Sequence, residues 1–418
     1  MAKKEKKLAI LNIHAAYPSQ FSPFHEYLCR TNSARSYFLC TEAARQANQV
    51  RVSNIFSYSP DGQTGSSPYY YSEYIESKAR ESLGILAQVQ QIVEQKQIDL
   101  IVANAHQGSP YMIFDEVDVP IVTFIEFPCY RSYGFDKSYP PIDAQRYYDK
   151  NMEMIGYYCG IKSAGIITPT QWTYQMLPPE LRKKTLVQTE GFDASRLGRK
   201  QNKDMYRLGK DVSCIGFTAN SITSTKGYDQ LIRITKEILK KRRDVHFFIN
   251  GNPHGISYGY EGNLVNSLNR GAAYTYRDYV HEKEKIDLNY YTFFEGLPYA
   301  DYSQFIHEMD IFLYPLQFGS NSWGLFDLLL RGKVVIASNR CYIPEIITRG
   351  KNGLMCEYED VDEWVSTVMD VIDNKDKYAT LGATAAEDGK QYHIENVAPK
   401  YMKYFEEVVG GYSSKKYK

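Results

Sequence analysis

The chain has 418 residues, and its 49 Lys plus Arg balance 49 Asp plus Glu, so it carries no formal net charge at pH 7. That length fits two domains or more, and neutrality gives no strong nucleic-acid signal, although a local basic patch stays compatible with it. No run of about 18 apolar residues is present to span a membrane, and the seven cysteines are scattered without CxxC or other metal-ligand spacing, so a reducing cytoplasm fits best.

Strand-like and helical runs alternate along the chain. Leu8 to Ile13 reads as a first strand rather than a signal peptide. The loop His14 to Pro23 and a helix at Phe24 to Cys29 follow. Gln49 to Val52 reads as a second strand and Asp61 to Ser67 as a turn-rich loop. Ser72 to Gln95 has helical periodicity. Leu100 to Ala103 and Ile121 to Phe124 are short apolar strands, Ile142 to Ser163 a long helix and Gly165 to Thr168 a strand. Thr170 is placed to cap a helix running to Leu177, and Leu186 to Gln188 closes the first series. The polar segment Ala194 to Lys210 suits a linker. Strands are then expected at Val212 to Phe217, Val245 to Ile249, Tyr291 to Phe294, Ile311 to Tyr314, Val334 to Ala337 and Leu354 to Met355. Helices between them include Tyr228 to Lys241, Tyr302 to His307 and Val361 to Ile372. This alternation predicts two doubly wound parallel-sheet domains with a ligand cleft between them.

The stretch Tyr314 to Gly332 carries the clearest functional pattern. An apolar strand leads into a polar loop, then into an apolar helix at Trp323 to Leu330. In parallel sheets ligands sit at the carboxyl ends of strands, against helix amino termini. The N–H groups of Ser322, Trp323, Gly324 and Leu325 are expected to point out of that terminus as a phosphate seat. Asp327, one turn further in, is a candidate acceptor for sugar hydroxyls; a solvated or capping carboxylate is the plain alternative.

Four stretches of the second half go together: Ile215 to Gly227 (IGFTANSITSTKG), Phe247 to Gly255 (FFINGNPHG), Phe294 to Pro315, and Gly324 to Glu345 with Asn352-Gly353-Leu354 after it. In their order and spacing they resemble the retaining, nucleotide-sugar-dependent glycosyltransferases of family 4, which have the GT-B fold. In the first half, HAAYPSQF at His14 to Phe21 is similar to the H-Q-N-F-P-G-Q-F opening of one subgroup. FIEFPCYRSYG at Phe124 to Gly134, PTQW at Pro169 to Trp172 and ISYG at Ile256 to Gly259 also fit it. The resemblance covers about Leu8 to Tyr404. Two positions depart from the wider family. The first glutamate of the donor loop is replaced by Gly319 and the second by Asp327, and Thr218 to Ser224 holds only neutral side chains where the family has an arginine.

The resemblance implies an α/β GT-B fold of two Rossmann-like domains with an interdomain cleft. It divides the chain into an acceptor-side domain at 1–195, a nucleotide-sugar domain at 211–390, and a terminal helix at 391–418 that crosses back to the first domain. It implies a donor such as a UDP- or GDP-sugar, no cofactor and no metal. The acceptor classes are a glycan, a lipid-linked saccharide or a small molecule, and peripheral membrane contact stays open. Negative charge builds on the leaving diphosphate in such a transfer, so a cation and backbone N–H groups are needed. Lys226 is the natural cation; a lysine at a helix start otherwise opposes the helix dipole. Donor contacts are expected from Lys226, Gly251, Ser322, Trp323, Gly324, Leu325 and Asp327. By resemblance His106 touches the transferred sugar, unless the family's histidine aligns with Asn104 instead. Tyr17, Ser19, Gln20 and Glu126 line the acceptor side, the alternatives being a surface turn and a Glu126–Arg131 pair. Two other readings keep the fold: an acceptor that is a nucleic-acid base or protein, and a degenerate, non-catalytic GT-B binding partner.

Overall fold

The computed structural model describes residues 7–48, 54–63, 65–128, 136–193 and 205–413. Two compact units account for them. One comprises Met1–Ser132, Asp143–Gly191 and Ile394–Lys418, the other Tyr133–Ile142 and Phe192–His393.

The first unit is built on a seven-stranded sheet. Its strands are β1 (Ala9–Ile13), β2 (Arg35–Thr41), β3 (Ile55–Tyr58), β4 (Leu100–Asn104), β5 (Ile121–Phe124), β6 (Gly165–Thr168) and β7 (Thr185–Val187). The spatial order is β3-β2-β1-β4-β5-β6-β7, and every pairing is parallel. All residues of β1, β4, β5 and β6 are buried, as strands covered on both faces must be. Helices Glu73–Lys96 and Asp143–Lys162 cover one face through Ile85, Val89, Ile92, Ile155 and Cys159. Helices Ser22–Thr31 and Ile394–Gly411 cover the other through Phe24, Leu28, Val397, Tyr401 and Phe405. The Tyr401 hydroxyl donates to the Thr189 carbonyl at 2.8 Å, and the Ile166 N–H donates to the Tyr404 hydroxyl at 2.9 Å. Both bonds tie the terminal helix to the first unit. Burying one such aromatic ring contributes roughly 1.5–3 kcal/mol, so this helix is a full member of that core.

The second unit holds a six-stranded, wholly parallel sheet in the order β10-β9-β8-β11-β12-β13. Its strands are β8 (Ser213–Ser221), β9 (Val245–Asn252), β10 (Tyr291–Phe294), β11 (Ile311–Tyr314), β12 (Val334–Ser338) and β13 (Leu354–Cys356). Helices Tyr228–Lys241 and Val361–Asp373 bury Leu231, Ile234, Ile238, Trp364, Val365 and Val368 against one face. Thr170 caps Gln171–Met176 with a capping box, as its spacing predicts.

Two expectations fall wholly or largely on residues that are not described. Gln49 to Val52 falls outside the described residues; Arg35–Thr41, which the sequence reading did not single out, pairs with β1. Much of the expected linker, 194–204, also lies outside them. Of its remainder, the N–H groups of Met205, Tyr206 and Arg207 all donate to the Glu308 carboxylate. Those bonds hold Glu308 below the usual carboxylate range despite its burial.

Among the described residues, no helix is long and apolar enough to cross a membrane.

Candidate active site

In an open parallel sheet the crevice forms where strand order reverses, outside the carboxyl ends of the strands. In the second unit that point lies between neighbours β8 and β11. The loop after β8 carries Lys226 and the loop after β11 leads to Trp323. The two loops are locked backbone to backbone. The N–H groups of Gln317 and Phe318 both donate to the Thr225 carbonyl at 3.0 Å. Gly227 closes a turn by donating to the Ser224 carbonyl at 2.8 Å. It has φ +71°, and a Cβ there would lie 1.6 Å from the Pro315 carbonyl oxygen. Only glycine satisfies both constraints. Lys226 is half-buried in this turn, one residue before the cap of Tyr228–Lys241. Burial pushes the nearby Cys341 thiol up to about 11, and the positive charges of Arg340 and Lys226 work against that rise.

The helix Trp323–Leu330 has the predicted bounds. Its amino terminus differs from expectation in one respect. The Leu325 N–H is tied back to the Ser322 carbonyl at 3.1 Å, because the first turn is tightened to a three-residue step. Leu325 itself is buried, so it is not a donor to a ligand. Ser322 makes no side-chain cap; its hydroxyl instead bonds the hydroxyls of Tyr314 and Tyr342. The Trp323 ring packs edge-on against Phe192 at 5.7 Å, and Phe326 stacks on the same ring at 4.3 Å. At Gly324 a Cβ would sit at ordinary contact distance, 3.7 Å from Thr218 Cγ2 and 3.9 Å from the Tyr302 hydroxyl.

Asp327 ends a directed chain of hydrogen bonds. Asn250 Nδ2 donates to Thr218 Oγ1 at 3.3 Å, Thr218 donates to Tyr302, and the Tyr302 hydroxyl donates to the Asp327 carboxylate. Asn250 Oδ1 in turn accepts from the Leu297 N–H at 3.0 Å. Burial pushes the Asp327 carboxyl up to about 7, against the pull of Tyr302 and of the Arg331 charge. Gly251, expected as a donor contact, has a packing reason to lack a side chain. Its Cβ would lie 2.7 Å from Ile222 Cδ1 and 3.1 Å from the Ala219 carbonyl oxygen.

The first unit reverses strand order between β1 and β4. There Asn104 Nδ2 donates to Gln20 Oε1 at 2.8 Å, and Gln20 Nε2 donates to Glu126 Oε2 at 2.8 Å. One relay thus joins the loops after β1, β4 and β5. Asn104 Oδ1 also accepts from the N–H groups of His106 and Gln107. Tyr17 donates to Glu26 at 3.2 Å, and the Ser19 N–H donates to Ser22 Oγ at 2.7 Å, so both shape the loop entering Ser22–Thr31. The His106 ring meets the Tyr74 hydroxyl through Nδ1 at 2.7 Å, and Nε2 lies against Gly156. Burial, helped by the Lys78 charge, lowers its pKa to about 4, so the ring is neutral near pH 7. His14 is buried and likewise lowered to about 4, which fits a structural residue. Arg131, the alternative partner of Glu126, lies outside the described residues.

Sequence reasoning missed Tyr302, Asn250, Ser224 and Glu261. Tyr302 stands on an amphipathic helix and reads there as core. The others touch the site only because β8 and β9 pair. Among the described residues, no group of three or more His, Cys, Asp or Glu gathers where it could hold a metal ion.

Comparison with known proteins agrees with this layout. Residues 32–197 match the family model described as "Glycosyl transferase family 4 group", and residues 210–388 match "Glycosyl transferases group 1". Sucrose-phosphate synthase from Thermosynechococcus elongatus superposes with a TM-score of 0.75 at 12% identity, covering 98% of this chain and 100% of that one. Anabaena HepE, solved in complex with UDP-glucose, superposes with a TM-score of 0.65 at 15% identity, covering 96% and 99%. The chain is therefore a glycosyltransferase with the GT-B fold, of the group 4/1 type. Among curated proteins it is similar to spore coat protein SA of Bacillus subtilis, 22% identical over 274 residues, or 61% of this chain and 69% of that one.

Proposed function

We propose that this glycosyltransferase moves a sugar from a nucleotide-diphosphate donor to a glycan, lipid-linked saccharide or small-molecule acceptor, with retention at the anomeric carbon. The observation that carries the reading is the locked pair of loops at the β8–β11 switch point: the loop that carries Lys226 is bonded through the Thr225 carbonyl to Gln317 and Phe318 of the loop leading to Trp323. Lys226 and the N–H groups of Trp323 and Gly324 take the diphosphate charge. That charge grows on the leaving group in the transition state, so these groups act on the chemical step and not only on binding. Asp327 accepts hydrogen bonds from the ribose hydroxyls, and Tyr302 fixes its orientation. We read the transfer as metal-independent, with this cation and these dipoles assigned to the same phosphates. The Asn104–Gln20–Glu126 relay is the proposed acceptor side. His106 enters as a neutral, hydrogen-bonded ring, and its contact with the transferred sugar rests on the family resemblance.

The family-4-group match supports retention, and the HepE complex makes UDP-glucose the first donor to try, ahead of GDP-sugars. A turnover screen with a panel of nucleotide sugars in excess EDTA tests the proposal. Donor hydrolysis or transfer that survives EDTA and requires Lys226 is expected. Turnover abolished by EDTA and restored by Mg²⁺ would overturn the metal-free part. A folded protein inert toward every donor would overturn the whole.

A further inference from the structure

The loop bearing Lys226 has a second anchor, on the side away from the Pro315–Phe318 contacts. Ser224 opens the turn. Its hydroxyl donates to Glu261 Oε2 at 2.7 Å, and its N–H donates to Glu261 Oε1 at 3.4 Å. The Ser257 hydroxyl also donates to Glu261 Oε1 and accepts from the Gly259 N–H. Glu261 begins the helix Glu261–Ser267 and is only 2% exposed. None of the ion pairs among the described residues involves it. A Cβ at Gly259 would lie 2.3 Å from Glu261 Oε2 and 2.8 Å from Ser224 Oγ, so a side chain there would displace the anchor.

A buried carboxylate without a cation is costly, and its hydrogen bonds offset that cost only in part. An apolar side chain would fill such a place with less penalty. Packing alone therefore gives no reason for a glutamate. The geometry gives one. Glu261 gathers two loops, the exits of β8 and β9, onto one point, and the first of them carries Lys226. The ISYG stretch, recognised in the sequence only as a resemblance, supplies Ser257 and Gly259 to this anchor.

We propose that Glu261 is a positioning residue for the phosphate-binding cation: through Ser224 it fixes the Ser224–Gly227 turn and so sets where Lys226 presents its ammonium. The inference rests on the donor-site reading given above. It makes the Lys226 turn a two-point mount, held by Thr225 and Gly227 on one side and by Ser224 on the other. A cation mounted in this way loses little orientational freedom when it meets a diphosphate.

Calorimetric titration with UDP tests this, using the full chain, Glu261→Ala, Glu261→Gln, Lys226→Ala and the Glu261→Ala/Lys226→Ala double variant. Glu261→Ala is expected to weaken UDP binding about tenfold, while Glu261→Gln, which keeps an acceptor oxygen for Ser224, stays within about threefold of the parent. On the Lys226→Ala background, Glu261→Ala should cost less than about twofold, because the anchor then has nothing to position. Should Glu261→Ala fail to fold, Ser224→Ala and Ser257→Ala remove single ties and should show the same dependence on Lys226 at about threefold. Equal losses with and without Lys226, or no loss when Lys226 is present, would overturn the inference and leave the donor site standing. UDP binding that ignores Lys226→Ala would overturn the donor-site reading, and this inference with it.

Discussion

The two sheets share a topology and end in different chemistry. At the strand-order reversal of the first unit, the side chains form a neutral relay of amides ending on one carboxylate, Asn104–Gln20–Glu126, beside neutral histidines. At the reversal of the second unit stand a half-buried lysine in a braced turn and a carboxylate at the end of an Asn–Thr–Tyr chain. The lesson is that a doubly wound sheet supplies the place, and the loops at its switch point supply the function. Amides and a lone carboxylate suit the many hydroxyls of a saccharide, which donate and accept in turn. A cation and helix N–H groups suit a diphosphate.

Substitutions should separate the two edges. The largest effect is expected for Lys226→Ala, which removes a charge that counts most in the transition state; kcat should fall on the order of 10²–10³-fold. A fall confined to the donor KM would show that Lys226 binds the donor without assisting departure of the diphosphate. Next comes Asp327→Ala. Losing a charge-assisted hydrogen bond costs roughly 1.5–3 kcal/mol, so UDP affinity should drop about tenfold to a hundredfold by calorimetry. An unchanged affinity would remove Asp327 from the ribose site. Smaller still, Gln20→Ala breaks the first-unit relay at its middle and should raise the acceptor KM about fivefold while UDP affinity stays within about twofold. A parallel loss of UDP affinity would erase the division of labour.

The smallest effect is a pair of pH signatures of opposite sign, one from Asp327 and one from the buried histidines. The Asp327 carboxyl, pushed up to about 7, still holds a proton where the unfolded chain has released its own, near pH 4. Folding thus binds protons through this group, and its contribution makes stability fall as pH rises from about 4 to about 7. His14, His25 and His106 of the first unit are held down to about 4 by burial. Here the unfolded chain binds protons first, so stability falls as pH drops from about 6.5 to about 4. His281 of the second unit adds to that acid limb. Asp327→Asn should therefore raise Tm at pH 8 by about 1–3 °C and by distinctly less at pH 5, where only the lower part of the interval from about 4 to about 7 has been crossed. A shift of equal size at both pH values would remove the titration from the account.

Much of this layout is legible in the sequence, for physical reasons that differ by element. The helix Trp323–Leu330 was placed to the residue because a polar loop and a glycine bracket an apolar run. The all-buried strands declare themselves as short apolar stretches. Arg35–Thr41 did not, because Arg, Ser, Tyr and Thr interrupt its apolar residues on an element whose burial comes from the fold. At the site, the lysine-glycine pair and Asp327 stood out by charge and spacing. What could not be read was who holds them. Tyr302 reaches Asp327 from another helix, and Glu261 reaches Ser224 across 37 residues of chain, so both contacts exist only once β8, β9 and β11 are side by side. The tied-back N–H of Leu325 is likewise a matter of a single tightened turn, which no residue type announces.

The central claim is that the second unit's switch-point loops, and not those of the first, take the nucleotide diphosphate. Amide hydrogen exchange of the full chain with and without saturating UDP, read by mass spectrometry, tests it most directly. The account predicts slowed exchange in peptides covering 222–228 and 315–325, and unchanged exchange in those covering 14–21 and 104–109. Protection confined to the first unit's loops, or absent from both while UDP is bound, would contradict it.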